Sequence, residues 1–353
     1  MDERDRPKRG RIAIYQDQDA DLSPLDDRRV AVIGYGNQGR AQALNLRDSG
    51  VRVMIAGIHD DSTERAASEG FRVIPIRGCA READVLLLLI PDEVQRRVYE
   101  ENLASDLKPG HVLCFGHGYN FHFGFIRPAP AVDVVLVAPR MIGAVVRESY
   151  QRGTGAPAFV AVGQDGSGNA PQIMLALAKG IGCTRAGVIE MTFEDETVLD
   201  LFVEQTLMPI FTRSMLWSFE ILTQAGYDPG VVTLELYGSG EMAEVFGACA
   251  KSGFYEQLFR LHSRTAQYGE LSRKEWILPK TVRTTMEDGL REIESGRFAK
   301  EWAQEEQAGF PTFNALLAAA RAHPINAAER EIAGRVTFGT SLTDQQTTRT
   351  SST

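Results

Sequence analysis

Gly34, Gly36 and Gly39 fall at G-x-G-x-x-G spacing directly after the apolar run Val30-Ala31-Val32-Ile33. The run reads as a buried strand, and Arg40-Ala41-Gln42-Ala43-Leu44-Asn45-Leu46 after it reads as a helix. In that setting each glycine has a task toward a dinucleotide. Gly34 permits the tight turn, Gly36 lets the backbone approach a pyrophosphate, and Gly39 lets helix and strand pack closely. The helix N-terminus then faces the phosphate charge, and Tyr35, Asn37 and Gln38 complete the turn. A second strand, 51–56, leads into Gly57-Ile58-His59-Asp60-Asp61-Ser62-Thr63, roughly 20 residues beyond the glycines, where an acid binds ribose hydroxyls. His59, Asp60, Asp61 and Ser62 are therefore cofactor candidates. No arginine occupies this turn, and its aspartates repel a 2′-phosphate, so NADH is expected over NADPH. The same aspartates could instead cap a helix over 62–69.

The surrounding elements suit that reading. Short apolar runs at 30–33, 51–56, 72–75, 84–90, 111–115, 133–138 and 157–162 alternate with helical segments at 39–49, 62–69, 92–104 and 169–181. Alternation of this kind predicts βαβ units, hence an α/β fold with a doubly wound parallel sheet. Beyond Met191 strand-like runs vanish, and apolar spacings of three and four dominate 195–225, 239–260, 263–273, 281–295, 298–306 and 311–322. The expected organisation is a leader over 1–27, a Rossmann domain over 28–190, an all-helical domain over 191–335 and a disordered tail over 336–353, where Thr, Ser and Gln dominate.

Bulk properties exclude several classes. The net charge of −9 leaves no basic excess for nucleic acid. No apolar run approaches the roughly 20 residues of a membrane span. Met1 to Arg11 is charged, without an apolar signal core. Cys79, Cys114, Cys183 and Cys249 are scattered without metal-ligand spacing. Buried free thiols in a reducing cytoplasm fit that scatter, so a cytoplasmic protein is expected.

The chain from Gly34-Tyr35-Gly36-Asn37-Gln38-Gly39 to Asp48-Ser49-Gly50 resembles the cofactor motif of the ketol-acid reductoisomerase family. The resemblance continues through Ile90-Pro91-Asp92-Glu93-Val94-Gln95, Gly116-His117-Gly118-Tyr119-Asn120-Phe121-His122-Phe123-Gly124 and Ala178-Lys179-Gly180-Ile181-Gly182 to Ile189. Asp200-Leu201-Phe202-Val203-Glu204-Gln205, Phe298-Ala299-Lys300-Glu301-Trp302 and Gln307-Ala308-Gly309-Phe310-Pro311-Thr312-Phe313-Asn314 carry it to the end, in family order. It implies a short-class enzyme: a Rossmann domain, a knotted helical domain and an interlocked homodimer whose active sites borrow the partner's helices. The implied reaction is a Mg2+-dependent alkyl migration on 2-acetolactate followed by reduction with NADH or NADPH. Asp200 and Glu204 match one metal-binding pair, and i, i+4 spacing on a helix aims both carboxylates the same way. His117 matches the active-site histidine and, with Pro91, joins the cofactor set. It could relay a proton; His122 reads as structural.

Departures cluster around the same pocket. Alignment through Lys251-Ser252-Gly253 puts the second metal pair on Tyr237 and Glu241, and a tyrosine is a poor Mg2+ ligand at neutral pH. Glu235 and Glu244 are neighbours, with Gly238-Ser239-Gly240 interrupting the helix. Arg140 replaces a lysine and Met141-Ile142 a Gly-Pro; Leu261-His262-Ser263-Arg264 replaces a substrate segment and keeps Ser263. The catalytic set expected is His117, Arg140, Glu204, Glu241 and Ser263, with Asp200, Glu204 and Glu241 for metal. The missing carboxylate makes a diverged oxidoreductase the leading expectation, reducing a small polar carbonyl or imine with isomerisation weakened or lost. The alternatives are a true ketol-acid reductoisomerase in which Glu235 or Glu244 supplies the ligand, and a non-catalytic NAD(H)-binding homologue.

Overall fold

Alternate residues of the central strands point to opposite sides, and both sides are buried. Val30 and Val32 enter one apolar layer and Ala31 and Ile33 the other; Val85 and Leu87 divide from Leu86 and Leu88 in the same way. A strand covered on both faces must read as a continuous apolar run, which is why these segments stood out. Each such Val, Leu or Ile contributes roughly 1.5–3 kcal/mol by leaving water.

The computed structural model describes residues 12–333 and Val336. The start of the expected leader and nearly all of the expected tail lie outside the described residues. Among the described residues nine strands form one sheet: β1 (Ala13–Tyr15), β2 (Arg29–Ile33), β3 (Arg52–Gly57), β4 (Arg72–Pro75), β5 (Val85–Leu88), β6 (Val112–Phe115), β7 (Asp133–Pro139), β8 (Ala158–Gln164) and β9 (Val188–Glu190). Their order is β1-β9-β8-β7-β6-β5-β2-β3-β4. The neighbours of β2 are β3 on one side and β5 on the other, both parallel to it. Strand order therefore reverses at β2, and the crevice beyond its C-terminal end is where such sheets bind ligands.

The sheet differs from the all-parallel expectation at one flank. β8 runs antiparallel to β7, and β1, inside the expected leader, pairs antiparallel with β9. β1 is short and half exposed, so it carries no apolar run to announce it.

Helices α1 (Asn37–Asp48), α2 (Asp61–Ser68), α3 (Cys79–Glu82), α4 (Asp92–Val98), α5 (Tyr119–His122), α6 (Gly143–Gln151) and α7 (Ala170–Ile181) accompany the strands, and α8 (Phe193–Phe202) follows β9. A π-helical turn, Tyr99–Leu103, extends α4. Asn45, fully buried on α1, donates to the Ile181 carbonyl (2.9 Å) and accepts from Arg147 (2.8 Å), so one polar side chain ties α1 to α7 and α6.

Contacts divide the chain into Met1–Leu199 and Asp200–Thr353, the cut falling inside the continuous helix α8. Beyond it come a π turn (Val203–Leu207), α9 (Met208–Gln224), α10 (Pro229–Thr233) and a second π turn (Leu234–Gly238). Then follow α11 (Glu241–Ser252), α12 (Phe254–Leu261), α13 (Arg264–Ile277), α14 (Lys280–Glu294), α15 (Arg297–Gln307), α16 (Pro311–Ala322) and α17 (Ile325–Ala333). The segment expected as one helix over 239–260 is two, because Gly253 takes φ 104° between α11 and α12. Within this unit Phe219, Val232, Ile325 and Ala328 make a small buried cluster.

Candidate functional site

The glycine turn has the geometry its spacing asks for. Gly34 takes φ 94°, and a Cβ there would meet Ile90 Cγ2 at 2.7 Å and the Leu89 carbonyl at 2.8 Å. A Cβ on Gly39 would stand 2.1 Å from the Gly34 carbonyl oxygen, which is how closely α1 sits on the turn. Gly36 is different: no protein atom lies within 4 Å of a Cβ built on it. It is the N-cap of α1, and no side chain caps the helix. The first amides of α1 thus face open space, an arrangement that accepts an anion. Gln38 donates to the Met141 carbonyl (2.7 Å), and Gly143 lies against the Asn37 backbone, so the loop after β7 is fastened to the same turn. Tyr35 needs correction as a cofactor side chain. It is 2% exposed, packs edge-on against Phe71 and donates to Glu69, which also takes Arg40. Only its backbone is left for a nucleotide.

At the acidic turn, the capping alternative accounts for Asp60. Its Oδ1 accepts from the Ser62 and Thr63 amides at 3.0 Å and from the Ser62 hydroxyl at 2.7 Å, and Thr63 returns a contact to the Asp60 amide. The Ser62 hydroxyl, joined by the Thr63 amide, holds this carboxyl below its usual value. Asp61 is exposed in the first turn of α2, and His59 is exposed beside Glu64. A cleft of about 820 Å3 opens here, between the end of β3 and the α4 side.

His117 follows β6, at the C-terminal edge of the sheet. Its Nδ1 lies 2.8 Å from Asp92 Oδ2. A carboxylate only accepts, so Nδ1 carries the proton and Nε2 is the other working atom. Asp92 is itself fixed, because Asn120 donates to its carbonyl (2.9 Å) and Gln95 to its carboxylate (3.0 Å). Behind His117, Glu196 is 1% exposed; its Oε2 accepts from the Gly118 amide at 2.8 Å, and Arg140 Nη1 approaches Oε1 at 3.4 Å. The Arg140 guanidinium also lies over the Phe159 ring, 5.0 Å from its centre. Glu196 and Asp200 stand one turn apart on α8. Single ligand atoms of His117, Glu196 and Asp200 come within 4.8 Å of one another, close enough to share a cation. Sequence reasoning missed Asp92 and Glu196. Asp92 lies inside the Ile90–Gln95 motif with no spacing to His117 that marks it, and Glu196 precedes Asp200 by the same i, i+4 step that separates Asp200 from Glu204.

In the helical unit Glu204 is exposed on the first π turn, and Glu241 and Glu244 are exposed at the start of α11. Tyr237 turns inward: it packs on the cluster around Phe219 and Val232, and its hydroxyl donates to Glu329. Burial, with that bond, pushes its pKa well above the usual phenol value. Glu235, two residues earlier on the same π turn, is exposed. Two residues along a helix is about half a turn, so the carboxylate and the phenol occupy opposite sides. The alignment that set Tyr237 in a ligand's place is therefore corrected. Tyr237 is a packing residue, and the segment's outward carboxylate is Glu235. Ser263 is the N-cap of α13, accepting from the Ala266 amide at 3.3 Å; like Arg264 it is exposed.

Comparison with known proteins agrees over nearly the whole chain. The family model described as acetohydroxy acid isomeroreductase, NADPH-binding domain, matches residues 24–187, and that described as ketol-acid reductoisomerase, C-terminal domain, matches 193–337. A protein of Pyrobaculum aerophilum named ketol-acid reductoisomerase (NADP(+)) is 46% identical over 326 residues, 90% of this chain and 97% of its own. One of Methanocaldococcus jannaschii with the same name is 41% identical over 325 residues, 91% of this chain and 97% of its own. The solved structure of an NADH-preferring ketol-acid reductoisomerase from an uncultured archaeon superposes with a TM-score of 0.88 at 37% identity, over 92% of this chain and 99% of that one. The chain is an oxidoreductase with a nicotinamide-cofactor domain, and it belongs to the ketol-acid reductoisomerase family.

Proposed function

We propose that the protein is a magnesium-dependent ketol-acid reductoisomerase that converts 2-acetolactate to the corresponding dihydroxy acid. The expectation of a weakened isomerase rested on Tyr237 standing where a carboxylate is needed. The observation that carries the present reading is the inward turn of Tyr237, which leaves Glu235 as well as Glu241 facing outward. With Asp200 and Glu204 they give the helical unit four carboxylates, which a second copy of the chain would have to bring together, since among the described residues of one chain Asp200 gathers only with His117 and Glu196. Hard anionic oxygens are the ligands magnesium takes, so the residues present suit that ion. Bound there, it would supply Lewis acidity to the ketol oxygens.

The chain's own groups divide the remaining work. The uncapped start of α1 and the open space over Gly36 hold the dinucleotide's pyrophosphate, while the loop from Met141 to Gly143 closes on the same turn. Asp92 holds His117 with Nδ1 protonated, leaving Nε2 to accept or return the proton of a substrate hydroxyl. Arg140, fixed between Glu196 and the Phe159 ring, meets the substrate's negative charge with a planar fork where the family has a point charge. Ser263, His262 and Arg264 are the polar groups that the α12–α13 connection offers to a substrate. The helical unit exposes large apolar side chains, among them Tyr268 at 71% and Trp276 at 75%. Patches of this kind are covered by another surface, here a second copy of the chain in an interlocked homodimer.

The test is turnover of 2-acetolactate by purified protein with Mg2+ and either nicotinamide, beside turnover of the rearranged 3-hydroxy-2-ketoacid supplied ready-made. Comparable rates are expected. Reduction of the ketoacid without conversion of acetolactate would restore the diverged-oxidoreductase reading.

A further inference from the structure

Behind the Asp92–His117 pair lie two amide side chains, Gln95 on α4 and Asn120 on α5, both almost fully buried. A buried amide is costly unless its hydrogen bonds are made, and here they form one directed chain. Asn120 Nδ2 donates to the Asp92 carbonyl (2.9 Å) and to Gln95 Oε1 (3.1 Å). Gln95 Nε2 donates to the Ile90 carbonyl (2.9 Å) and to Asp92 Oδ1 (3.0 Å). Both hydrogens of each amide nitrogen are thus used. Turning either amide over would set its oxygen against acceptor oxygens, so each has one orientation. The chain of donors ends on Asp92. Its Oδ1 is taken by Gln95, and its Oδ2 is left 2.8 Å from His117 Nδ1.

Comparison with Asp60 shows what this secures. Both aspartates stand at the start of a helix, where free amides attract a carboxylate. Asp60 gives its carboxylate to the amides of its own helix, α2. Asp92 opens α4 behind Pro91, an N-cap with no side-chain acceptor, yet its carboxylate reaches across to the residue after β6. Gln95, one turn along α4, holds Oδ1 away from those amides, and Asn120, reaching over from the β6 side, holds the Asp92 carbonyl. The His117 ring also stacks on Tyr119, 5.9 Å between ring centres. Two amides that served packing alone could give way to apolar side chains of the same shape at little cost. What these two add is direction.

We propose that Gln95 and Asn120 are positioning residues for the reductoisomerase reaction: they aim the Asp92 carboxylate at His117 Nδ1 and so keep Nε2 as the atom that handles the substrate's proton. The proposal rests on the reading of His117 as the proton-handling group and adds the side chains that hold it to one tautomer.

Two readouts on the full-length protein test it: ring 15N shifts of 15N-histidine-labelled protein, and turnover of 2-acetolactate with Mg2+ and either nicotinamide. Both compare wild type with Gln95→Met, Asn120→Leu and the double variant, and the His117 signals are identified by their loss in His117→Gln. Wild type should show the proton on Nδ1. In the double variant apolar side chains fill the same space, so the melting temperature should hold while His117 loses its single Nδ1–H pattern. Its kcat should fall about tenfold, with KM for cofactor and acetolactate within about twofold of wild type. Each single variant should cost nearly as much as the double, since one broken link releases Asp92. In an Asp92→Ala background the same substitutions should change kcat by less than about twofold. A loss of about tenfold that persists in that background would overturn the proposal, and so would a double variant with wild-type kcat and tautomer. If the double variant does not fold, Gln95→Glu decides in the same way, because it keeps the size and the Asn120 contact but not the donor to Asp92. Wild type that leaves acetolactate unconverted would overturn the proposed function instead, and the 15N shifts would still decide the positioning.

Discussion

Gly36 and Gly39 belong to one motif, yet alanine at each should fail in a different way. At Gly36 the backbone (φ −79°, ψ −152°) is open to alanine, and no protein atom lies within 4 Å of the new Cβ. Losing a glycine N-cap costs a few tenths of a kcal/mol up to about 1, and the stiffer unfolded chain returns about 0.4–1, so the net change in stability is within about 1 kcal/mol. For a unit of this size that is about 2–4 °C in melting temperature. At Gly39 the Cβ would sit 2.1 Å from the Gly34 carbonyl, backbone that a φ of 94° already constrains. Overpacking of that kind costs about 1–3 kcal/mol, several degrees of melting temperature. Binding should invert the order of interest. The methyl on Gly36 occupies the space where the pyrophosphate meets the amides of α1, and each hydrogen bond to a charged group is worth about 1.5–3 kcal/mol. NADH should therefore bind Gly36→Ala about 10- to 100-fold more weakly, with the melting temperature nearly unchanged. The assay is a cofactor titration followed by fluorescence, paired with thermal melts of both variants. If Gly36→Ala binds within about twofold of wild type, the pyrophosphate does not cross Gly36 and the open space there is not its seat.

The carboxylate reassignment predicts a crossed pattern. Glu235→Gln should weaken Mg2+ binding by calorimetry about tenfold with an unchanged melt, whereas Tyr237→Phe should cost about 1–2 kcal/mol of stability with Mg2+ affinity intact. Asp92→Ala should lower kcat by about 10²-fold with little change in cofactor KM, because His117 loses the partner that fixes its tautomer; Asp92→Asn, which can still accept from Nδ1, should fall between. Burial alone would raise the Glu69 carboxyl, but hydrogen bonds from Arg40 and Tyr35 outweigh it and hold it below its ordinary 4.5. A depressed carboxylate stabilises the fold above its unfolded pKa and loses that contribution as pH falls through the folded value. Melts taken from about pH 5 down to about pH 3 should thus drop more steeply for wild type than for Glu69→Gln.

Much of the sheet and the whole glycine turn were legible because their causes are local. A strand buried on both faces must be apolar at every position, and a turn that folds back on its own strand needs glycine at fixed offsets. The pairs that build the candidate site are not local. Asp92 and His117 are 25 residues apart and Glu196 and Gly118 are 78 apart, and each pair meets only because β5 and β6 are neighbours and α8 returns to the same sheet edge. Asp60 shows the opposite limit. A cap and a ribose acceptor require the same residue type at the same place, so composition left both open until its hydrogen bonds were seen. Tyr237 was misread because a helix register was carried across a segment that does not keep it. A π turn over Leu234–Gly238 and a left-handed Gly240 absorb extra residues, and counting back from Lys251 then lands on the wrong side of the helix.

Apolar periodicity also leaves undecided what a helix face is buried against. In the helical unit the repeating apolar positions of α12 and α13 predict buried stripes, yet Phe254, Tyr255, Phe259, Tyr268 and Trp276 are exposed within a single chain. A stripe meant for a neighbouring helix and one meant for another copy of the chain have the same 3.6-residue period. Ser263, His262 and Arg264 lie between these stripes, on the connection from α12 to α13. A second copy that covers the aromatic faces would therefore also enclose the polar segment they flank. On that argument dilution into monomer should remove the polar half of the substrate site while leaving the sheet's dinucleotide site intact. Acetolactate turnover should then fall with protein concentration, and NADH affinity should not.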